Sequence, residues 1–381
     1  MYAQIARILA GSLGNLLAGP TRKGVGLPRM IPLPSAVSGV VVLAVLGPLL
    51  AGGRLDAEPT PTGFAQPPIG VFGEAVHEGG EVKLSYRLHV ENRDGLMDGE
   101  MRLTPSQVAP AYLGGTVPSS MRSYAHIIEL TWKPTEAATL FVTLPFYERT
   151  LSQYVVASDG SLGQRYDVSV RGFGDVILNG LYRVFVDEVH RIHLNLGLSL
   201  PSGSTNETAE APAGITGVTP GSLQRLPYAM QLGSGTLSLR PGFTYNGLYR
   251  GTFWGGQLLG VLQAGTNSEG YKAGNQYEAT GWLGRRWSDW FRTSFRLKWQ
   301  QWFNPTGQDA QLDPALSPMD NPLLQAGQRL DALFGVDFYV VGGWLKGSRI
   351  SIEAGLPVLQ DLDGPQLRTD WLLTTGLQYA F

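Results

Sequence analysis

The sequence predicts an all-β fold: a closed antiparallel transmembrane β-barrel of about 12 strands, with short periplasmic turns and long extracellular loops. Apolar and polar residues alternate with period 2 along most of the chain from Glu81 onward, and the connections alternate in length. The chain is rich in Gly (50 residues) and only 16% charged. Its mean hydropathy of −0.03 excludes a helical membrane protein, which needs repeated apolar runs of about 20 residues.

A short apolar run occupies residues 36–50 near the N-terminus and contains Pro48. Arg22, Lys23 and Arg29 precede the run and small residues follow it, which is the three-part pattern of a secretory signal. We therefore expect residues 1–57 to be a signal or targeting segment. An anchor helix is the alternative interpretation, and Met30 is an alternative start.

The following residues, 58–80, begin with a Pro-rich stretch that cannot maintain a β-ladder. We expect them to form a flexible periplasmic segment or a plug that reaches into the barrel from below. The barrel itself is expected to span residues 81–381.

The clearest strand lies at residues 190–200, where five aliphatic residues from Ile192 to Leu200 occupy every second position. No helical period explains this pattern. The same alternation predicts the other strands, near 81–91, 121–133, 138–149, 173–185, 235–246, 252–264, 276–287, 290–303, 328–341, 348–357 and 370–381. Aromatic residues near the strand ends are expected to lie at the membrane interfaces: Trp132, Tyr147, Tyr182, Tyr245, Trp254, Trp287, Trp290, Trp371 and Tyr379.

Short and long connections are expected at opposite ends of the barrel. The short ones lie at 134–136, 187–188, 247–251, 288–289 and 342–347. The long ones lie at 92–120, 150–172, 201–234, 304–327 and 358–369, with one of intermediate length at 265–275. A soluble β-sandwich has no reason to sort its loops in this way.

The first and last strands are expected to pair, because an open sheet edge in hydrocarbon would leave backbone groups without hydrogen bonds. The last strand ends on Phe381. A final strand with this ending resembles the signal that marks barrels for the bacterial outer membrane. The resemblance implies two partners, the outer-membrane lipid and the barrel assembly machinery.

Charged side chains alternate with apolar ones and are assigned to the lumen, because Arg or Lys facing lipid at mid-bilayer costs about 2–4 kcal/mol. The candidate lumen residues are Arg87, His89, Arg183, His193, Arg240, Arg292, Arg296, Lys298, Arg329, Asp331, Arg349 and Glu353. Two interpretations stay open. The charges form a wall that guides anionic or polar solutes, or they form a paired network that fills a narrow lumen.

Other chemistry finds little support in the sequence. The five His residues are too scattered for a metal site, and no cofactor motif is legible. Ser199 and His193 share a strand face but have no third partner that would complete a triad. A net charge of −2 gives no reason to expect nucleic acid as a partner. We expect a protein without enzymatic activity.

Several blocks of sequence resemble a family of outer-membrane barrels, the transporters of the meta-pathway of phenol degradation (MetA-pathway). The blocks are GFGDVILNGLY (172–182), HRIHLNLGLSLPSGS (190–204), PYAMQLGSG (227–235), RRWSDW (285–290) and LPVLQDLDGPQ (356–366). The resemblance extends from about Val71 to Phe381. It implies passive transport or binding of small solutes, with aromatic or hydrophobic compounds as candidates. The alternative is a closed, structural or loop-presenting barrel that does not conduct.

Overall fold

The computed structural model describes residues 66–73, 82–343, 345 and 347–380. The expected signal segment (1–57) lies outside the described residues. So do most of the expected periplasmic segment (58–80) and the terminal residue Phe381.

The described residues form 17 β-strands joined by a few short helical turns. The strands are β1 (Val82–Gly99), β2 (Met101–Leu103), β3 (Thr116–Trp132), β4 (Ala138–Val156), β5 (Leu162–Phe173), β6 (Ile177–Val186), β7 (His190–Ser199), β8 (Thr208–Glu210), β9 (Leu223–Arg225), β10 (Leu237–Tyr249), β11 (Thr252–Ala264), β12 (Tyr271–Lys272), β13 (Gln276–Arg286), β14 (Phe291–Trp302), β15 (Thr306–Gly307), β16 (Gly327–Tyr339) and β17 (Arg349–Ala380). The helical pieces are α1 (Pro105–Val108) and four 3₁₀ turns, Ala109–Ala111, Tyr228–Met230, Pro318–Asp320 and Pro322–Leu324.

The predicted closed antiparallel barrel is confirmed. Eleven strands follow one another around the ring in the order β17-β16-β14-β13-β11-β10-β7-β6-β4-β3-β1, and β1 pairs with β17 to close it. The first part of β17, to Leu362, pairs with β16, and the remainder pairs with β1. Because neighbours are antiparallel throughout, these two parts run in opposite directions. The ring therefore contains twelve passes, as predicted.

Alternation decides which side chains face outward. In β7, Leu194, Leu196 and Leu198 are exposed, whereas His193 and Asn195, at the alternate positions, are buried. Several predicted interface aromatics are exposed near strand ends, among them Trp132, Tyr182, Trp287 and Trp290. The prediction for Tyr147 is wrong.

Tyr147 packs against a buried apolar cluster because its position in β4 has the inward parity. Tyr245 also departs from the prediction, since it is almost fully buried. Its hydroxyl is covered by Trp254, whose Nε1 donates to it at 3.0 Å, and by His190, whose Nδ1 lies 2.8 Å away.

Three of the predicted long loops are wrong because the strands continue through them. β1 extends to Gly99 and β3 starts at Thr116 within the expected loop 92–120. β4 extends to Val156 and β5 starts at Leu162 within 150–172, and β17 runs through 358–369. The 18 residues of β1 span about 60 Å, while the apolar band of such barrels is only about 25 Å tall. Beyond the bilayer both faces of a strand meet water or protein, so the apolar alternation that marks a strand is lost.

The extracellular ends of the strands share a core with the loops. Leu96, Val117, Leu151, Met230 and Met319 belong to one buried apolar cluster that joins strand extensions to loop residues. The loops are thus folded over the barrel end. Within the described part of the chain, no helix is long and apolar enough to cross a membrane.

Candidate functional site

The periplasmic half of the lumen contains closely paired charges. Asp337 lies between two guanidinium groups: Arg292 Nε donates to its Oδ2 at 2.7 Å and Arg349 Nε to its Oδ1 at 2.9 Å. Arg296 donates from Nε and Nη2 to the two carboxylate oxygens of Glu353, at 2.9 and 2.6 Å. These side chains are almost fully buried, so each charge depends on its partner.

A second chain of charges continues toward the extracellular side. Lys298 Nζ lies 3.2 Å from Asp331 Oδ2, and Arg329 Nε lies 2.9 Å from Asp331 Oδ1. Arg329 Nη1 also donates to Glu91 Oε1 at 2.7 Å. Glu91 accepts a further bond from Arg93 at 3.0 Å. The network interpretation therefore describes these groups well.

Residues 66–73, which we call the lumenal segment, lie inside the barrel. Gln66 Oε1 accepts bonds from Tyr339 Oη at 3.2 Å and from Arg349 Nη1 at 3.1 Å. The carbonyl oxygen of Pro67 accepts from Arg349 Nη2 at 2.8 Å. At Gly70 the approach to the wall is so close that a Cβ atom would lie 2.2 Å from Arg296 Nη2. The start of the segment is thus bound to the paired charges.

The far end of the lumenal segment contacts the opposite wall. The carbonyl oxygen of Phe72 accepts a bond from Gln257 Nε2 at 2.6 Å. The Phe72 ring packs edge-on against Phe141, with centroids 5.5 Å apart. Val71 is 1% exposed and belongs to a small apolar cluster with Phe253 and Trp282. The segment therefore fills lumen space across its described length.

The extracellular half of the barrel contains a cavity of ≈ 500 Å³, which we call the vestibule. This volume lies within the usual range for small-molecule sites, about 300–1,000 Å³. Aromatic side chains on its lining come from loops and strand ends: Tyr228, Tyr271, Tyr277, Trp302 and Phe303. Polar lining residues include Glu91, Arg93, Arg240, Glu278, Gln300 and Arg329.

The strand register brings part of this polar lining to one level. Leu259 of β11 is opposite Glu278 of β13, which is opposite Gln300 of β14. Gln300 is in turn opposite Arg329 of β16. Glu278 Oε2 accepts a bond from Gln300 Nε2 at 3.0 Å. Side chains distant in sequence thus form a continuous row along one wall of the vestibule.

Arg240 differs from the other arginines of the vestibule. Its guanidinium lies over the Phe72 ring, 5.2 Å from the centroid. Its Nε is buried and has no hydrogen-bond partner among the described residues. Arg93 and Arg329, by contrast, both bind Glu91.

Loop residues cover the vestibule and bind one another. Arg225 Nη2 lies 2.6 Å from Glu269 Oε2, and Arg225 Nε lies 3.2 Å from Asp309 Oδ2. Burial raises the pKa of Tyr271 to about 12. Burial, with the nearby charges of Asp313 and Asp309, raises the pKa of Asp320 to about 8. The cover is therefore an ordered, partly charged structure.

The predicted lumen residues all lie on inward faces, but they do not form one site. The paired network contains Arg292, Arg296, Lys298, Arg329, Asp331, Arg349 and Glu353. Arg87 binds Glu129 at 2.9 Å, and His89 Nδ1 lies 2.9 Å from Thr374 Oγ1. Of the twelve candidates, Arg240 and Arg329 line the vestibule. Arg183 lies at the periplasmic end, 3.9 Å from Glu136 in a turn.

Several residues of the vestibule escaped prediction. Glu91 is the last residue of its predicted strand, and Arg93 and Thr369 fall in predicted loops. Glu278 lies between Tyr277 and Ala279 in β13, so its inward parity could have identified it, as the same parity places Gln300 of β14 on the lumen face.

His193 is almost fully buried in the lumen, and Ser199 lies on the same face of β7. The two are six positions apart on one strand, which separates them by about 20 Å. No group of His, Asp or Glu suited to holding a metal is present in the described ranges.

A closed antiparallel barrel with an apolar exterior and a polar lumen is the fold of outer-membrane channels. Residues 106–353 match the family model described as "Putative MetA-pathway of phenol degradation". This match covers more than half of the chain, which therefore belongs to that family. The predicted resemblance is confirmed.

One solved structure supports the fold, and two more are similar at lower TM-scores. The COG4313 outer membrane channel from Pseudomonas putida F1 is 11% identical, with a TM-score of 0.53 over 86% of this chain and 100% of that chain. The transport unit of the autotransporter AIDA-I from Escherichia coli is 10% identical, covering 81% and 94% with a TM-score of 0.45. The KdgM porin is 10% identical, covering 78% and 99% with a TM-score of 0.36. No curated protein matches the sequence.

Proposed function

We propose that the protein is a passive channel for small solutes in the bacterial outer membrane, and that the lumenal segment controls its opening. The observation that carries this proposal is the division of the lumen. The vestibule has room for a small molecule, and the lumenal segment lies in the path below it. A solute that enters the vestibule can reach the periplasm only if this segment moves.

The contacts of the segment are suited to reversible movement. Its polar contacts include hydrogen bonds from Arg349, Tyr339 and Gln257, and a hydrogen bond between the Gly73 backbone and His193. Each such bond contributes about 0.5–1.5 kcal/mol, or about 1.5–3 kcal/mol where one partner is charged. The barrel wall can remain closed during this movement, because its ladders do not include residues 66–73.

A thiol-labelling experiment tests the proposal, since the chain has no Cys and Val71→Cys would introduce a single thiol. Val71 is 1% exposed, so the closed state should protect it. We expect solute flux into liposomes, and faster labelling by a membrane-impermeant thiol reagent while solute flows. A matched variant, Ser268→Cys in an extracellular loop, should be labelled rapidly throughout.

Absence of flux together with permanent protection of Val71→Cys would favour the alternative function, a closed barrel that presents its loops. The filled periplasmic half is the observation that supports this alternative. Under either function, we propose that the protein is not an enzyme and that outer-membrane lipid surrounds it. Delivery to the outer membrane by the barrel assembly machinery belongs to the same proposal.

A further inference from the structure

We propose that the vestibule selects small aromatic carboxylates and that Arg240 binds their carboxylate group. This inference rests on the proposed function, because it names the class of solute that the channel would take. It starts from the state of Arg240, a cation beside a cavity without an acidic partner.

The acids of the vestibule are already engaged elsewhere. Glu91 accepts bonds from Arg93 and Arg329, at 3.0 and 2.7 Å. Glu278 accepts from the neutral Gln300 at 3.0 Å, and its charge acts on Arg240 from beyond ion-pair distance. No ion pair or hydrogen bond reaches the Arg240 guanidinium from the residues that the structure describes. Its donors therefore remain available to a ligand.

The surroundings of Arg240 favour an anion over water. The guanidinium is half-buried, with Phe72 against one face at 5.2 Å and the apolar side chains of Leu259 and Val261 also on the vestibule lining. A charge in such surroundings is poorly solvated and interacts strongly with a counter-charge. The planar fork of Arg matches the two oxygens of a carboxylate.

The remaining walls favour an aromatic ring on the ligand. Tyr277 and Phe303 pack edge to face with centroids 5.9 Å apart, and Tyr228 and Tyr271 do so at 4.9 Å. Trp302 also lines the vestibule. Aromatic faces and edges attract a further ring in offset or edge-to-face geometry. An aromatic carboxylate would satisfy both the cation and these walls.

The test is calorimetric binding to the refolded full chain in detergent, with benzoate, phenol, acetate and inorganic phosphate as probes. We expect benzoate to bind at least tenfold more tightly than the other three. Arg240→Gln should weaken benzoate binding at least tenfold and leave phenol unchanged. Arg240→Lys keeps the charge but lacks the fork, so it should bind benzoate with intermediate affinity. Arg165→Gln, at an exposed position of β5, is the matched control and should bind as the parent does.

Equal affinity for phenol and benzoate, or unchanged benzoate binding in Arg240→Gln, would overturn the carboxylate assignment. Phosphate or acetate binding as tightly as benzoate would overturn the aromatic part. These results are distinct from failure of the channel. Liposomes without flux, combined with Arg240-dependent benzoate binding, would reject the channel and retain the site. Flux without Arg240-dependent benzoate binding would retain the channel and reject the site.

Discussion

The periplasmic and extracellular halves of the barrel contain the same types of residue in different roles. In the lower half Arg296 and Glu353 form a two-point ion pair at 2.9 and 2.6 Å, and the lumenal segment fills the adjoining space. In the upper half Arg240 lies beside a cavity of ≈ 500 Å³ without a carboxylate partner. An inward-facing arginine therefore does not reveal its role by position alone. An arginine paired with a carboxylate stabilises the barrel, whereas one without such a partner is available to bind a ligand.

The largest expected effect comes from breaking the lower ion pair. Arg296→Gln would leave the Glu353 carboxylate buried beside a neutral group. Loss of one partner from a buried pair typically costs about 3–5 kcal/mol. The free energy of unfolding in urea, measured for the protein in lipid or detergent, should fall by that amount. A loss no larger than that of the exposed variant Arg165→Gln would show that the pair does not stabilise the barrel.

A somewhat smaller effect is expected from Gly70→Ala, which tests how tightly the lumenal segment fits. The added Cβ would lie 2.2 Å from Arg296 Nη2 and 2.3 Å from Glu353 Oε2. Such overpacking costs about 1–3 kcal/mol and favours states in which the segment leaves the wall. Single-channel recording should show more frequent opening.

The control for this variant is Gly342→Ala, because no atom of the described residues lies within 4 Å of a Cβ added at Gly342. Gly342→Ala should open as often as the unmodified protein. Equal opening in Gly70→Ala would mean that the segment tolerates the methyl group without moving.

A moderate pH effect is expected in the loops above the vestibule. Burial, with Asp313 and Asp309, raises the pKa of Asp320 to about 8. The folded protein thus holds this proton more tightly than the unfolded chain, whose Asp pKa is about 3.9. The stabilisation is fully present below the unfolded pKa and is lost as the pH rises toward 8. The thermal unfolding midpoint of the unmodified protein should therefore fall between about pH 4 and pH 8, and in Asp320→Asn it should fall less. An unchanged slope would exclude Asp320 as its source.

The smallest effect on stability is expected from Arg240→Gln, the counterpart of Arg296→Gln in the open half. No ion pair is lost, so the free energy of unfolding should fall only by about 1 kcal/mol, the contribution of the cation–π contact with Phe72. The same urea titration checks this value. A loss comparable to that of Arg296→Gln would mean that Arg240 is a structural residue like the others.

The sequence predicted the membrane-spanning part of the fold well. Along β7 and the end of β17, one face meets lipid and the other meets the lumen, so alternation from Ile192 to Leu198 and from Trp371 to Tyr379 reports the environment directly. Closure also followed from physics, since an open edge in lipid is too costly. Above the bilayer this alternation is lost, and β5 and the upper part of β1 therefore fall in predicted loops.

The candidate site was predicted only in part. Period-2 patterning places both Arg240 and Arg296 on inward faces. It does not show that Arg296 pairs with Glu353 while Arg240 has no carboxylate partner. That distinction depends on cross-strand register and on β17 turning back toward β1. The contacts that Gln66 and Phe72 make with the barrel wall could not be predicted either. The lumenal segment is not part of a β-ladder, so its sequence has no periodicity to interpret.

The most direct test of the divided lumen is planar-bilayer conductance of the intact protein and of a variant that lacks residues 66–73. Heat-dependent migration on a denaturing gel would confirm that both are folded barrels. We expect low, intermittent conductance from the intact protein and a several-fold larger, steady conductance from the deletion variant. Equal conductance from two folded barrels would contradict the account, because the lumenal segment would then not be what closes the path.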